Sequence, residues 1–231
     1  MRIIFVRHGH PDYKNDCLTP LGHKQAEAAA KRLAEEKIDA IFSSSCGRAA
    51  ETAEYIARDR GMKVELLDFM REISWGPRNG EELYKNGHPW RTVEKITNES
   101  HSLLSANWGE EDYFNKNIGV EKSENVVKAF DAWLSELGYT REGDYYRVGE
   151  PKYDTIVLAS HGGSSSAVLA HLFNLPLPFV LYTIRPDFTA ITVVKFKDDI
   201  GPLVSPMFEI ANDARHIEGL ENEITFGFGN K

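Results

Sequence analysis

The chain has 231 residues, 42% of them hydrophobic and 27% charged, an ordinary globular mixture that excludes collagen, coiled coil and overall disorder. Aspartate and glutamate outnumber lysine and arginine by 35 to 27, so the formal net charge is −8 at pH 7. This acidic balance argues against nucleic acid or an anionic membrane as a partner, because both attract a basic surface.

The first part of the chain alternates strand patterns with helical ones. Residues 3–6 form a continuous apolar run, which is typical of a strand buried on both faces. Thr19 and Pro20 predict an N-cap and a first helical position, opening a helix that runs to about Glu36. The next patterns predict a strand over 38–42, a helix over 47–60 that Gly61 ends, and a strand over 63–67.

The composition changes between residues 73 and 150, a stretch rich in Asn, Gly, Trp and Tyr. One helical spacing is clear there, over 126–137 with Gly138 as its end, and a hairpin pattern follows over 139–146. Beyond this stretch, strand patterns return at 155–160 and 191–196, and a helix is predicted from Gly162 to Phe173 between them.

Strands alternating with helices predict an α/β fold, a three-layer α/β/α sandwich around a mostly parallel central sheet. We expect a single domain over 1–231, in which residues 73–150 are a helical and loop insertion that forms a lid. The N-terminal apolar run is too short for a signal sequence, and no stretch approaches the roughly 18 apolar residues of a membrane span. Cys17 and Cys46 are too few for a disulfide framework. A cytoplasmic protein is therefore expected, and a homodimer is left open.

Polar side chains follow three of the predicted strands. The segments at the ends of these strands are Arg7-His8-Gly9, residues 43–48 ending in Arg48, and Ser160-His161-Gly162-Gly163. Ligands of parallel α/β sheets bind beyond the carboxyl ends of the strands, so we expect these segments to meet at one edge.

The residue types at these exits suit a phosphoryl group. Arg7 and Arg48 carry planar guanidinium groups that bind phosphate oxygens in pairs, and the Gly162-Gly163 helix start offers backbone N–H groups. A neutral imidazole, from His8 or His161, is a competent nucleophile near neutral pH. Such a site needs no metal or other cofactor, but a carboxylic acid is required to protonate the leaving oxygen.

The same segments resemble the motifs of the histidine phosphatase superfamily, which has the phosphoglycerate-mutase-like fold. Arg7-His8-Gly9 after an N-terminal strand is similar to its signature. Further segments match in order along the chain: residues 18–22, residues 43–53 with Arg48, residues 70–76 with Glu72, residues 160–163, and residues 211–216.

The resemblance implies roles for the matching residues. His8 would be transiently phosphorylated, while Arg7, Arg48 and His161 would hold the phosphoryl oxygens. Glu72 would act as general acid toward the leaving alcohol and then as base toward water. The implied protein is a metal-independent phosphomonoester hydrolase that works through a phosphohistidine on a small phosphorylated metabolite.

Three alternatives remain open from the sequence. Cofactor-dependent mutases of this family have an Arg-Arg pair in the insertion and a Trp-containing stretch after Arg-His-Gly, and this chain lacks both features, which favours water as the acceptor. His8, His10 and Asp12 have a spacing found in metal-dependent hydrolases, although Tyr13 stands where a further histidine is expected. A catalytically silent module that binds a phosphorylated ligand is the third alternative.

The choice of substrate is expected to depend on the lid. The candidates for contacts with the leaving group are Tyr13, Trp75, Arg78, Tyr84, His88, Trp90 and Arg91, and Gly162 is a further candidate for binding the substrate. His216 is expected either to help close the site or to make a structural loop contact. The net charge of −8 does not exclude such a substrate, because a few desolvated groups decide phosphate binding.

Overall fold

The computed structural model describes residues 1–197 and 201–220. In chain order, the first elements are β1 (Arg2–Arg7), β2 (Pro11–Asp12), β3 (Cys17–Leu18), α1 (Pro20–Arg32), β4 (Ala40–Ser44), α2 (Gly47–Arg58), β5 (Val64–Leu67) and α3 (Pro89–Asn98). The remaining ones are α4 (Ile118–Glu136), β6 (Tyr139–Glu142), β7 (Tyr145–Val148), β8 (Thr155–Ser160), α5 (Gly162–Leu172), α6 (Leu177–Thr183), β9 (Ile191–Phe196), β10 (Leu203–Val204) and β11 (Pro206–Asp213).

A six-stranded sheet in the described residues has the order β11-β9-β1-β8-β4-β5. Strands β1, β8, β4 and β5 are parallel, whereas β9 and β11 pair antiparallel at one edge. The prediction of a mostly parallel α/β sheet is confirmed. The strand β11 was not predicted, since its residues between the two buried ends alternate between exposed and half-buried positions without a continuous apolar run.

The two faces of the sheet bury different residues of the same strand. Ile4 and Val6 of β1 pack in a cluster with residues of α1 and α2, whereas Ile3 and Phe5 pack with residues of α4 and α5. Each such aliphatic or aromatic side chain stabilises the fold by roughly 1.5–3 kcal/mol relative to an exposed one. Helices therefore cover both faces, as the three-layer prediction requires.

The helix α1 begins where the sequence predicts. The side chain of Thr19 accepts a hydrogen bond from the N–H of Gly22 at 3.1 Å, and Pro20 occupies the first turn. The helix ends at Arg32, before the predicted Glu36. The carbonyl of Leu33 accepts hydrogen bonds from the Arg60 guanidinium, just beyond α2, and from the N–H of Glu36 in the turn that follows α1.

Residues 73–150 contain more regular structure than the sequence indicated. Helix α3 was not predicted, because its apolar positions are spread among Thr, Arg and Lys over only ten residues. Helix α4 starts at Ile118, well before the predicted residue 126, and β6 and β7 form the predicted hairpin. Among the described helices, none combines the length and the apolar character needed to cross a membrane.

Candidate active site

The neighbouring strands β1, β8 and β4 bring three polar segments together at their carboxyl ends. His8 follows β1 and His161 follows β8, and both side chains are buried. Their ring centroids lie 5.1 Å apart. The sheet order therefore unites the segments that the sequence places about 150 residues apart.

His8 has one ring nitrogen engaged by its own loop. Its Nδ1 lies 2.7 Å from the carbonyl oxygen of Gly9, an acceptor, so the ring proton belongs on Nδ1 and the lone pair on Nε2. Burial holds the pKa of His8 well below its ordinary value, and the charge of Arg7 acts in the same direction. The ring is therefore neutral, which is the nucleophilic form.

Arg7 is held by the loop that precedes β9. Its Nη1 donates a hydrogen bond to the carbonyl of Pro186 at 2.7 Å, and its guanidinium carbon lies 4.2 Å from the ring centroid of Phe188. Asn212 fixes this loop, because its amide donates to the carbonyl of Arg185 and accepts from a backbone N–H at Asp187. The segment 211–216 thus contributes to the site indirectly, because Asn212 holds the loop that binds Arg7.

Arg48 lies at the start of α2 and is held by Asp16. One carboxylate oxygen of Asp16 accepts from the Arg48 guanidinium, and the other accepts from the N–H of Gly47 at 2.9 Å. Asp16 has φ +51°, in the left-handed region, where Asp and Asn are favoured among non-glycine residues. The ring of Tyr13, on the same loop, lies 5.4 Å from the Arg48 guanidinium carbon.

His161 contacts Ser44 at the end of β4. The Nε2 atom of His161 and the Oγ of Ser44 are 2.8 Å apart, and the same Oγ accepts the N–H of Cys46 at 3.2 Å. The hydroxyl proton of Ser44 is thus available to Nε2, which assigns the ring proton of His161 to Nδ1. Burial lowers the pKa of His161 well below its ordinary value, and Arg48 and Arg7 lower it further.

Glu72 lies against the N-terminus of α5. Its carboxylate accepts hydrogen bonds from the N–H groups of Ile73 at 3.0 Å, Ser164 at 3.1 Å and Gly163 at 3.3 Å. Burial raises the pKa of Glu72, although these hydrogen bonds oppose the rise. A side chain on Gly163 would come within 2.5 Å of the carboxylate, so it would force the Glu72 carboxylate to shift.

Four of the predicted substrate-binding residues border this group. Tyr13 lies over Arg48, as described. The indole nitrogen of Trp75 lies beside Glu72, 3.5 Å from the position that a Cβ atom on residue 163 would occupy. A side chain on Gly162 would meet the ring of Trp90 at 3.2 Å and the Nε of Arg7 at 3.8 Å.

The other predicted substrate-binding residues lie farther out. His88 and Arg91 sit at the start of α3, where the His88 ring is 5.6 Å from that of Trp90. Arg78 is exposed, and its backbone N–H bonds to the carbonyl of Lys116. Tyr84 is 48% exposed, with its ring 5.3 Å from the Lys95 ammonium. The contacts described for Arg78 and Tyr84 do not connect them to His8.

The side chains of His8, His10 and Asp12 do not form a shared set of metal ligands. His10 Nδ1 lies 2.9 Å from the hydroxyl of Thr19, and the Asp12 carboxylate accepts from Lys14 and Asn15 of its own loop. Within residues 1–197 and 201–220, no three His, Cys, Asp or Glu side chains are grouped closely enough to hold one ion.

Sequence reasoning missed several supporting residues. Asp16 and Arg185 lie outside the matched motifs, and Ser44 lies within the matched segment 43–53 but was given no role; each contacts a residue distant in the chain. For Ser44, its place beside the predicted exit of β4 was the available signal. His216, given two interpretations above, contacts the hydroxyl of Thr189 at 3.0 Å, a structural loop contact.

Comparisons with known proteins agree with this geometry. A model of the histidine phosphatase superfamily (branch 1) matches residues 3–206. A candidate phosphoserine phosphatase of Hydrogenobacter thermophilus is 26% identical over 88% of this chain and 93% of its own length. A candidate phosphoglycerate mutase of Yersinia enterocolitica is 23% identical over 94% of this chain and 95% of its own. The α-ribazole phosphatase structure from Shigella flexneri shares the fold, with a TM-score of 0.62, 21% identity, and coverage of 93% and 97% of the two chains.

Proposed function

The chain belongs to branch 1 of the histidine phosphatase superfamily, and from this membership we propose that it hydrolyses small phosphomonoesters through a phosphohistidine on His8. One observation carries the proposal. The N–H groups at Arg7 Nε, Arg48 Nε and His161 Nδ1 are buried, and none has a hydrogen-bond partner among the described residues. An unsatisfied buried donor costs about 1–3 kcal/mol, so three of them beside one nucleophile support a site built for an anion.

The first chemical step transfers the phosphoryl group to His8. The lone pair of Nε2 attacks phosphorus, the P–N bond forms, and the bond from phosphorus to the ester oxygen breaks. Arg7, Arg48 and His161 donate to the three non-bridging oxygens, where negative charge is held in the transition state. Burial raises the pKa of Glu72 and so favours its protonated form, which gives its proton to the leaving oxygen.

The second step returns the enzyme to its starting state. The Glu72 carboxylate takes a proton from a water molecule as that water attacks phosphorus. The P–N bond breaks, inorganic phosphate leaves, and His8 recovers its lone pair on Nε2. The charges balance without a redox partner or a metal.

We propose residues 73–150 as the lid of this site. Trp75 and Trp90 belong to that segment, and both border the glycines at the start of α5. The relative named for phosphoserine supports a small substrate, and the net charge of −8 supports a small phosphoester rather than a polyanion. A cytoplasmic location and the absence of nucleic-acid and membrane partners remain predictions.

Replacing His8 tests the proposal. His8→Ala removes the nucleophile, and we expect turnover of p-nitrophenyl phosphate to fall by ~10³-fold or more while the circular dichroism spectrum stays unchanged. Acid-labile phosphate should appear on the wild-type protein and be absent from the variant. His23→Ala, at an exposed histidine of α1, is the matched control and should keep full activity.

Two results would refute the proposal. Near-full activity in His8→Ala would show that the nucleophile lies elsewhere. Failure of the wild-type protein to form phosphohistidine or release phosphate would favour a silent binding module. Transfer to a second hydroxyl in the presence of a bisphosphorylated cofactor would instead identify a mutase.

A further inference from the structure

Two buried serines lie close to the proposed acid, Glu72. Ser160 ends β8 and Ser164 lies in the first turn of α5, so His161 stands between them in the chain. Both serine side chains are fully buried, and their hydroxyl oxygens are 2.9 Å apart. A buried hydroxyl costs free energy unless it is hydrogen-bonded, so the partners of this pair indicate what it does.

The two hydroxyls share one acceptor, the backbone carbonyl of Met70. The Ser164 hydroxyl is 3.2 Å from this carbonyl oxygen, and the Ser160 hydroxyl is 3.4 Å from it. Each hydroxyl has one proton, so the pair cannot make both of these bonds and also the bond between the serines. The two shorter contacts fit one arrangement, in which Ser160 donates to Ser164 and Ser164 donates to Met70.

Met70 stands two residues before Glu72 in the chain. It ends the 3₁₀ turn Asp68–Met70, and the backbone beyond that turn is extended. The first turn of α5 therefore holds this segment at two points. The N–H groups of Gly163 and Ser164 bind the Glu72 carboxylate, and the Ser164 hydroxyl binds the backbone before it. The first contact holds the carboxylate itself, and the second holds the chain from which it extends.

We propose that Ser164 is a positioning residue for Glu72, and that Ser160 orients the Ser164 hydroxyl. The inference rests on the proposed function and deepens it, because it concerns how the acid is placed against the ester oxygen. His161 belongs to the same strand–helix junction as the two serines, so the bond to Met70 fixes Glu72 relative to the bound phosphoryl group. Proton transfer needs heavy atoms within about 2.6–3.2 Å, and a small displacement of the acid slows it.

Two esters that differ in their need for an acid test this role. The alkoxide of glycerol 3-phosphate must be protonated as it leaves, whereas the nitrophenolate of p-nitrophenyl phosphate leaves without a proton. Ser164→Ala should lower kcat/KM for glycerol 3-phosphate about tenfold and change that for p-nitrophenyl phosphate by less than about twofold. If the hydroxyl only stabilised the fold, the variant would affect both esters alike, and that result would overturn the inference.

Ser166→Ala is the matched control. Its hydroxyl is also buried in α5, but it has no hydrogen-bond partner among the described residues. Its removal should therefore leave the ratio of kcat/KM for the two esters unchanged. A shift as large as that of Ser164→Ala would show that any buried hydroxyl of this helix affects the ratio, which contradicts the specific role of Ser164.

The order of the hydrogen bonds makes a second prediction. Ser160→Ala removes the donor to Ser164 but leaves the bond to Met70, so the ratio should fall only about threefold. The double variant should lose no more than Ser164→Ala alone, because Ser160 acts through Ser164. A loss equal to the product of the two single losses would show independent action and overturn the role given to Ser160.

The outcomes distinguish this inference from the proposed function. If the wild-type protein hydrolyses both esters and Ser164→Ala leaves their ratio unchanged, the positioning role is refuted while the phosphatase stands. If neither ester is hydrolysed and no phosphohistidine forms, the proposed function itself fails. Circular dichroism shows whether each variant is folded. Should Ser164→Ala be unfolded, Ser160→Ala, which keeps the direct donor, tests the inference through its own change in ratio.

Discussion

Glu72 shows how the environment of one side chain sets its protonation. Three backbone N–H groups donate to its carboxylate, which by itself favours the charged form. Burial acts in the opposite direction and is the larger effect, so the pKa of Glu72 is raised. A raised pKa favours the protonated carboxyl, which is the form that an alkoxide leaving group needs.

Glu72→Gln should slow phosphohistidine formation selectively. Glutamine keeps the size of the side chain but has no transferable proton, so formation from glycerol 3-phosphate should slow by ~10²–10⁴-fold in rapid-quench measurements. Formation from p-nitrophenyl phosphate should slow much less, because nitrophenolate leaves without protonation. The exposed Glu65→Gln is the control. Equal losses with both esters would contradict the acid role.

The pH dependence should follow from two pKa values displaced in known directions. The pKa of Glu72 is raised, so its proton is present below that pKa and lost as pH rises through it, which gives the alkaline limb. The pKa of His8 is lowered, so the ring stays neutral to unusually low pH before the acid limb begins. In kcat/KM profiles for glycerol 3-phosphate, Glu72→Gln should abolish the alkaline limb alone, and an unchanged limb would assign it to another group.

Asp16 should act as a positioning residue for Arg48. Asp16→Asn tolerates the left-handed backbone and can still accept from Gly47, but it removes the charged contact with the guanidinium. We expect kcat/KM to fall about tenfold with little change in Tm, as for one charge-assisted hydrogen bond. Tighter binding of inorganic phosphate with kcat intact would instead show that Asp16 competes with the substrate; the exposed Asp59→Asn is the control.

At the scale of elements, Asn117 ties the start of α4 to two loops of the 73–150 segment. Its Oδ1 accepts the N–H groups of Gly76 and Gly119, and its Nδ2 donates to the carbonyl of Gly87. The side chain is fully buried. It thus caps a helix and fixes the loop that follows Trp75, which borders Glu72.

Asn117→Ala should destabilise the protein by about 2–4 kcal/mol, the sum of a lost N-cap and of buried groups left unpaired. Urea unfolding followed by tryptophan fluorescence measures this change. Asn98→Ala, at the exposed end of α3, should stay within about 0.5 kcal/mol of the wild type. A comparably small effect at position 117 would show that the three bonds are replaced by water.

At the scale of the whole molecule, the positive charge of the site is local. The chain carries a net charge of −8, yet Arg7, Arg48 and the N-terminus of α5 gather around His8. Helix N-termini and guanidinium groups stabilise anions without a metal ion. Charge elsewhere governs solubility and long-range attraction.

Exhaustive dialysis against a chelator should therefore leave kcat/KM for p-nitrophenyl phosphate unchanged. Heparin, a polyanion, should not inhibit at low ionic strength, because the acidic surface repels it. A loss of activity that zinc restores would contradict the metal-independent mechanism and support the set of His8, His10 and Asp12. Addition of zinc to an undialysed sample provides the control.

The local sequence was sufficient to predict the parallel strands of the sheet and the chemical groups at their carboxyl ends. Residues 3–6 and 156–159 are apolar throughout, and such short runs are typical of strands buried on both faces. Parallel strands direct their carboxyl ends to one edge, so the convergence of His8 and His161 followed from topology. The family motifs then indicated which carboxylate to expect as the acid.

Only the tertiary structure decided what surrounds these groups. Asp16 on Arg48, Ser44 on His161 and Glu94 on Arg185 join residues 32 to 117 positions apart, and no periodicity records such contacts. Burial, which sets the pKa directions of His8 and Glu72, is likewise a property of the packed whole. Local pattern determines the elements and the reactive groups because it acts over a few residues, whereas partners and desolvation arise only when distant segments pack.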